Sequence, residues 1–389
     1  MTGLRRFGLS TSGGDTAGAG ERRRSPSPRR PLEFDSRQRS RPRRPSPMML
    51  ATVDPPMAAD AGYFPRESLL RRVHGERAVG FCYGQRALCI GAANPLNYVV
   101  TAIHSSDPQR PFRELARRAK MIETIIFGSR EEADGVLACV NEVHEWVTGA
   151  LPVDAGGRYP AGSRYSALEP ELLMWTVAVM ADSAEYFFEL LVGTLSAGEK
   201  EAFWQDYLRL GELLKLPRAS APATHAQFRD WWHERLKSKD LQLTAEARQT
   251  GYATAFQIPM PFYASGLRQA HNAVMLGSLP SQVRALYGLG YTAEDDARFH
   301  KLTNAIRVLY RRLPRSLAHG RSSFFYRWVA REEARRIEHG RPTPYLASPV
   351  RGGTIASPEL VDRLQPPPLA TADRISARSG CRRKDGVRL

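Results

Sequence analysis

Residues 171–193, ELLMWTVAVMADSAEYFFELLVG, form a run of apolar side chains nearly long enough to cross a bilayer, yet Asp182 sits at its middle with Glu185 and Glu189 behind it. A spanning helix needs about 20 largely uncharged residues, and a carboxylate at the centre of one costs roughly 2.5 kcal/mol or more. The stretch therefore reads as the central core helix of a water-exposed domain, its acids reaching a cleft or neighbouring polar groups. Asp182, Glu185 and Glu189, at i, i+3 and i+7, could also share a face and hold a metal as carboxylates do in di-iron bundles. No Glu-x-x-His motif stands beside them to support that reading.

The remaining periodicity between about Gly62 and Tyr345 is helical almost throughout. In EEADGVLACVNEVHEWVTG, Val136, Val140, Val143 and Val147 recur at spacings of three and four, with Leu137, Cys139 and Trp146 beside them, which predicts a buried stripe. Ser196 before Glu199 and Thr224 before Gln227 predict capping boxes at two helix starts. The segment PRESLLRRVHGERAVGFCYGQRALCIGAANP predicts one or two packed helices that start near Pro65 and stop at Asn94 and Pro95. No segment shows sustained strand alternation, so the expected fold is all-α: one multi-helix domain at 61–346, between tails at 1–60 and 347–389.

Charge separates the tails from the domain. Residues 1–50 hold 12 Arg and 4 acids, and residues 351–389 hold 8 basic and 4 acidic residues, which leaves only +4 of the formal +16 for the middle. Tails so rich in Arg, Ser and Pro bury too little apolar surface to fold, so both are expected to be disordered. The domain carries neither a basic stripe nor a nucleic-acid motif, which argues against a specific nucleic-acid partner; weak peripheral contact of the tail with anionic membranes is the membrane role left open. No apolar h-region follows the early arginines, and Met48, Met49 and Met57 are candidate starts. Four dispersed cysteines, Cys82, Cys89, Cys139 and Cys381, without a C-x-x-C pair, fit reduced thiols and a cytoplasmic location.

Nucleotide-binding loops, G-x-S-x-G and H-E-x-x-H are missing from the sequence. What remains for chemistry is a set of histidines on apolar segments, His104, His144 and His271, each able to pack, to bond a carbonyl or to ligate iron.

The ordered phrases ANPLNYVVTAIHSSDP, IIFGSREEAD, VNEVHEWVTG, YSALEPELLMWTVAVMADS and LSAGEKEAFWQDYLRLGELLKLP resemble the oxygenase family of latex clearing proteins (rubber oxygenases) and MpaB-type enzymes. The match is clear from Gly62 to Pro217 and looser to Pro344. The resemblance implies a globin-like helical core binding haem b, an oxidoreductase using dioxygen, and an apolar or lipid-like substrate. It also implies that the 171–193 helix faces the haem. Trp175 and Val177 would then line the cofactor, Val177 standing where better-known members carry the iron-ligating His of W-V-H-A, and valine cannot ligate. The family's Ala-His-Pro appears as Ala93, Asn94 and Pro95, and its Arg-x-x-basic-Thr as Glu114, Leu115, Ala116, Arg117 and Arg118. His104 and His144 are left as cofactor and iron ligands, with Arg117, His104 and Asp182 as catalytic candidates. The alternative is a haem-free member using the same cavity to bind a ligand or partner. Oligomeric state is not legible.

Overall fold

A computed structural model describes residues 62–103, 110–151, 154–156 and 158–341. The predicted tails, Cys381 and His104 lie outside the described residues. The domain is all-α, its helices running in order α1 (Leu69–Gly75), α2 (Arg77–Gly80), α3 (Tyr83–Gly91), α4 (Pro95–Ile103), α5 (Pro111–Phe127), α6 (Arg130–Trp146), α7 (Pro170–Leu191), α8 (Ala197–Leu213), α9 (His225–Lys237), α10 (Ala245–Phe256), α11 (Ser265–Ser278), α12 (Ser281–Tyr287), α13 (Ala293–Arg312), α14 (Arg315–Ala318) and α15 (Ser323–Glu338). A short antiparallel ribbon, Thr148–Ala150 with Arg164–Ser166, was not expected from the sequence. Three-residue strands are too brief for alternation to register.

The 22-residue α7 is the axis of the bundle. It is apolar nearly all round, so it must be covered all round, and α1, α2, α3, α8 and α13 pack on it. No described helix is long and apolar enough to cross a membrane. Aromatic rings fill the seam with α8 and α9: Trp204 stacks on Phe228 at 4.1 Å, and Trp175 lies 5.5 Å from Trp232. A separate cluster around Phe112, Leu115, Met260 and Val329 joins α5 to α15 and to the chain before α11.

Local signals operate where expected, with two modifications. Ser196 and Glu199 form the full reciprocal capping box. Thr224 caps Gln227 N–H, but the Gln227 amide oxygen accepts from Ala223 N–H and not from Thr224. The 69–91 stretch is broken into α1, α2 and α3, more pieces than its sequence predicts. Chain crossings decide it: a Cβ on Gly75 would lie 2.3 Å from His319 Nε2, and one on Gly80 1.8 Å from Ser322 Oγ.

The α6 stripe is the clearest departure from expectation. Only Ala133 and Leu137 of that helix are buried, while Val143 and Trp146 are exposed. Helix α6 packs chiefly on α5, and Asn141 near its end donates to the Leu213 carbonyl of α8 at 3.0 Å, which leaves Val143 and Trp146 uncovered. Cys82 and Cys89 are free thiols, and burial pushes both pKa values up to about 12, so they stay protonated; Cys139, expected to be a reduced thiol like them, is instead disulfide-bonded.

Candidate functional site

Trp175 is fully buried and spends its indole N–H on the Gly91 carbonyl at 3.1 Å. Val177 points at α8, where Gly211 lets the helices approach; a Cβ there would meet Val177 Cγ2 at 3.3 Å and Leu216 Cδ2 at 2.9 Å. The end of α8 closes this corner. Lys215 takes φ 73°, and the next residue folds back so that Leu216 N–H reaches the Gly211 carbonyl at 2.8 Å, a Schellman stop with lysine where glycine is usual. Asn94 is buried, and its Oδ1 accepts from Asn97 N–H at 3.2 Å, starting α4. Both positions are occupied by packing and capping. Val177 offers no donor atom to a metal.

The carboxylates of α7 meet cations. Asp182 Oδ2 accepts from Arg86 Nη1 at 2.7 Å and Oδ1 from Arg229 Nη1 at 2.6 Å. Arg86, only 3% exposed, also donates to the Ser278 carbonyl (2.9 Å) and Ser183 Oγ (2.8 Å), and lies 4.6 Å over the Tyr186 ring. Glu185 faces His225 Nε2 at 3.0 Å and Lys200 at 3.4 Å, and Lys200 reaches Glu189 at 2.8 Å. The acids that break the apolar run thus tie α7 to α3, α8 and α9, and Arg86 carries the link on to Ser278 of α11. Among the described residues no group of three or more His, Cys, Asp or Glu side chains could hold a metal ion.

The other sequence candidates gather between α5 and α6. Glu114 accepts from Arg117 at 2.7 Å and from Arg118 at 3.1 Å. Burial works to raise the Glu114 pKa, but the Arg117 hydrogen bond and the charges of Arg118 and Arg117 outweigh it and hold the carboxyl below its usual range. Arg117 itself is exposed. His144 is partly buried, and its pKa is lowered first by that burial and then by the charge of Arg118. Its imidazole is therefore neutral near pH 7, and its buried Nδ1 has no hydrogen-bond partner. His271 repeats the pattern on α11: burial lowers its pKa to about 4, and its buried Nε2 is also without a partner.

Glu114 thus pairs with Arg117 and Arg118 on α5, and the charge of Arg118 reaches His144 on α6. Trp175, Val177 and Asp182 belong to a different, filled region along α7. Sequence reasoning missed Arg86, Arg229 and His225, whose partners are remote in the chain. It also missed His74, buried with Nε2 at 2.7 Å from Tyr207 Oη and its pKa pushed down to about 3 by burial. His74 lines an enclosed cavity of about 10 Å³ with Tyr83, Glu123, Ser322 and Tyr326, room for about one water. A surface depression of about 560 Å³ opens beside Tyr63, Asp206, Arg209 and Arg218. Neither is lined by Val177, Trp175 or His144.

A helical bundle around one apolar axis, with buried imidazoles at His144 and His271 whose Nδ1 and Nε2 have no partner, defines an all-α domain. Residues 71–308 match the family described as ER-bound oxygenase mpaB/B'/rubber oxygenase, catalytic domain, and the chain belongs to that family. It is similar to an uncharacterised protein of Mycobacterium bovis and to one of Mycobacterium tuberculosis, each 23% identical over 235 residues, covering 60% of this chain and 86% of the relative. No solved structure matches the chain.

For haem, the two regions give different answers. The α7 position does not fit an iron ligand, because Val177 is an aliphatic side chain closed in by Gly211 and Leu216. The α5–α6 position fits in its donor chemistry: a neutral imidazole with an unpartnered nitrogen, near guanidinium groups that pair with carboxylates.

Proposed function

We propose that the chain is an oxidoreductase of the oxygenase class, acting with dioxygen on an apolar or lipid-like substrate, with a cofactor approached from the α5–α6 side. Membership of the oxygenase family across 71–308 gives the class, and the unspent buried nitrogen of His144 is the observation that carries the site. Haem b, when bound, would supply the dioxygen chemistry. His144 would hold it, with His104 as the second candidate ligand. Arg117, paired to Glu114 and exposed, can turn to an anionic edge of the bound group; Asp182, the remaining catalytic candidate with Arg117 and His104, is held between Arg86 and Arg229. A cytoplasmic location belongs to the same reading.

The packing of Val177 favours a second reading, a haem-free member that binds a ligand or partner without catalysis. Hemin titration followed at the Soret band separates them. The wild-type chain is expected to bind, and His144→Ala or His104→Ala to lose at least about tenfold in affinity, the loss of a direct ligand. Val177→His should not strengthen binding, and should instead cost about 1–3 kcal/mol of stability through overpacking. A wild-type protein that stays colourless with added hemin refutes the haem reading and leaves the binding module.

A further inference from the structure

The chain from the end of α10 into the first turn of α11, QIPMPFYASGLR at 257–268, carries large apolar side chains into solvent: Phe262 is 90%, Tyr263 75% and Leu267 58% exposed. These side chains stand on a fixed base. Ile258 and Met260 are buried in the cluster with Phe112 and Val329, the Met260 carbonyl accepts from Arg336 Nη2 at 2.5 Å, and Asn272 Nδ2 donates to the Phe256 carbonyl at 2.8 Å. Pro261 leads into a single 3-10 turn, Phe262–Ala264, closed by Ala264 N–H to the Pro261 carbonyl at 3.0 Å. The two rings meet edge to face at 5.7 Å. A ring 90% exposed is a protrusion and not the wall of a groove, so it needs a soft medium more than a complementary protein surface.

The surroundings are cationic. Residues 110–127, 257–268 and 323–338, the segments joined through this cluster, hold ten Arg or Lys and five Glu. Two of those glutamates are spent on backbone: Glu333 accepts from Phe112 and Arg113 N–H, and Glu123 from Ser322 and Ser323 N–H. Aromatic side chains concentrate at the bilayer–water boundary, and each nearby Arg or Lys adds attraction to an anionic leaflet.

From the rigid aromatic tip and its basic collar we infer that Phe262, Tyr263 and Leu267 form a wedge that seats the domain on an anionic lipid bilayer. The inference is independent of haem. A wedge of this kind would place the domain at the boundary where lipid-like molecules partition, without a spanning helix.

The test is flotation of the full chain with vesicles of phosphatidylcholine and phosphatidylserine, in low and in high salt. The basic N-terminal tail can adhere to the same vesicles, but that attraction is screened by salt, whereas insertion of rings is not. Wild type should float in both conditions. Phe262→Ser with Tyr263→Ser should weaken high-salt binding about tenfold or more while leaving the thermal midpoint unchanged, and Phe262→Trp with Tyr263→Trp should keep it. Equal flotation of the double serine variant would assign binding to the tail and overturn the inference. So would failure of the wild type to float. A wild-type dimer that becomes monomeric in the serine variant would assign the patch to a second copy, with the same consequence.

Discussion

Replacing Asp182 by leucine should be among the most damaging changes in the domain. The substitution removes the acceptor for Arg86 at 2.7 Å and for Arg229 at 2.6 Å. Arg229, with about a third of its side chain exposed, can turn to water. Arg86 cannot, because it is 3% exposed and held by the Ser278 carbonyl, Ser183 Oγ and the Tyr186 ring. An uncompensated buried cation costs about 3–5 kcal/mol, whereas replacing both members of a buried pair by apolar residues is often neutral. Asp182→Leu should therefore lose about 3–5 kcal/mol and Asp182→Asn, which keeps one acceptor, about 2 kcal/mol. Asp182→Leu with Arg86→Met should recover most of the loss. Urea unfolding of wild type, Asp182→Leu, Arg86→Met and the double variant, with m-values checked for constancy, gives the coupling energy directly. An Asp182→Leu protein within about 1 kcal/mol of wild type would refute the reasoning, as would a double variant no more stable than the single one.

Two further outcomes follow from buried groups and backbone. The pKa of His74 is pushed down to about 3 and that of His271 to about 4 by burial, below the ordinary 6.5, so the unfolded chain binds protons that the folded one refuses and stability falls as pH drops below about 6.5. Each imidazole should cost about 1 kcal/mol between pH 7 and 5.5; His74→Gln, which can still bond Tyr207, should remove about half of the combined drop in urea midpoint, and an unchanged slope would contradict the burial of His74. Lys215→Gly should raise stability by about 0.5–1 kcal/mol because φ 73° is strained for a lysine; a lower thermal midpoint would show that the Lys215 side chain contributes more than its backbone costs.

Helix α7 was legible because its signal is local: an unbroken apolar run with central charges has few stable environments, and the residues that prove it buried are its own. The Ser196 and Glu199 box was legible for the same reason. What the sequence hid depends on remote neighbours. Arg86 stands 96 residues before Asp182, and Arg229 47 residues after it, so no spacing rule joins them. Periodicity identified α6 correctly as an amphipathic helix but not how far its neighbours would cover it, and Val143 and Trp146 remain exposed. The break between α1 and α2 follows from His319 crossing Gly75, and that between α2 and α3 from Ser322 crossing Gly80. Arg117 and His144 were legible only as two separate candidates; the sequence did not show that Glu114 pairs with Arg117 and Arg118 or that the charge of Arg118 reaches His144.

The distribution of unspent polar atoms bears on where a ligand can enter. Along α7, Trp175 Nε1 is bonded to Gly91, Thr176 Oγ1 to Leu172, Asp182 and Glu185 to cations, and the Glu189 carbonyl accepts from Arg307. A group inserted against that helix must break charge-assisted bonds inside a closed core, at roughly 1.5–3 kcal/mol for each, before it gains a contact. Between α5 and α6 the order is reversed. His144 Nδ1 already carries the desolvation cost of burial without a partner, so a ligand that bonds it recovers free energy instead of spending it. On the proposed reading, the satisfied polar groups along α7 fix the bundle, and His144 is where a bound ligand would gain a bond without breaking one.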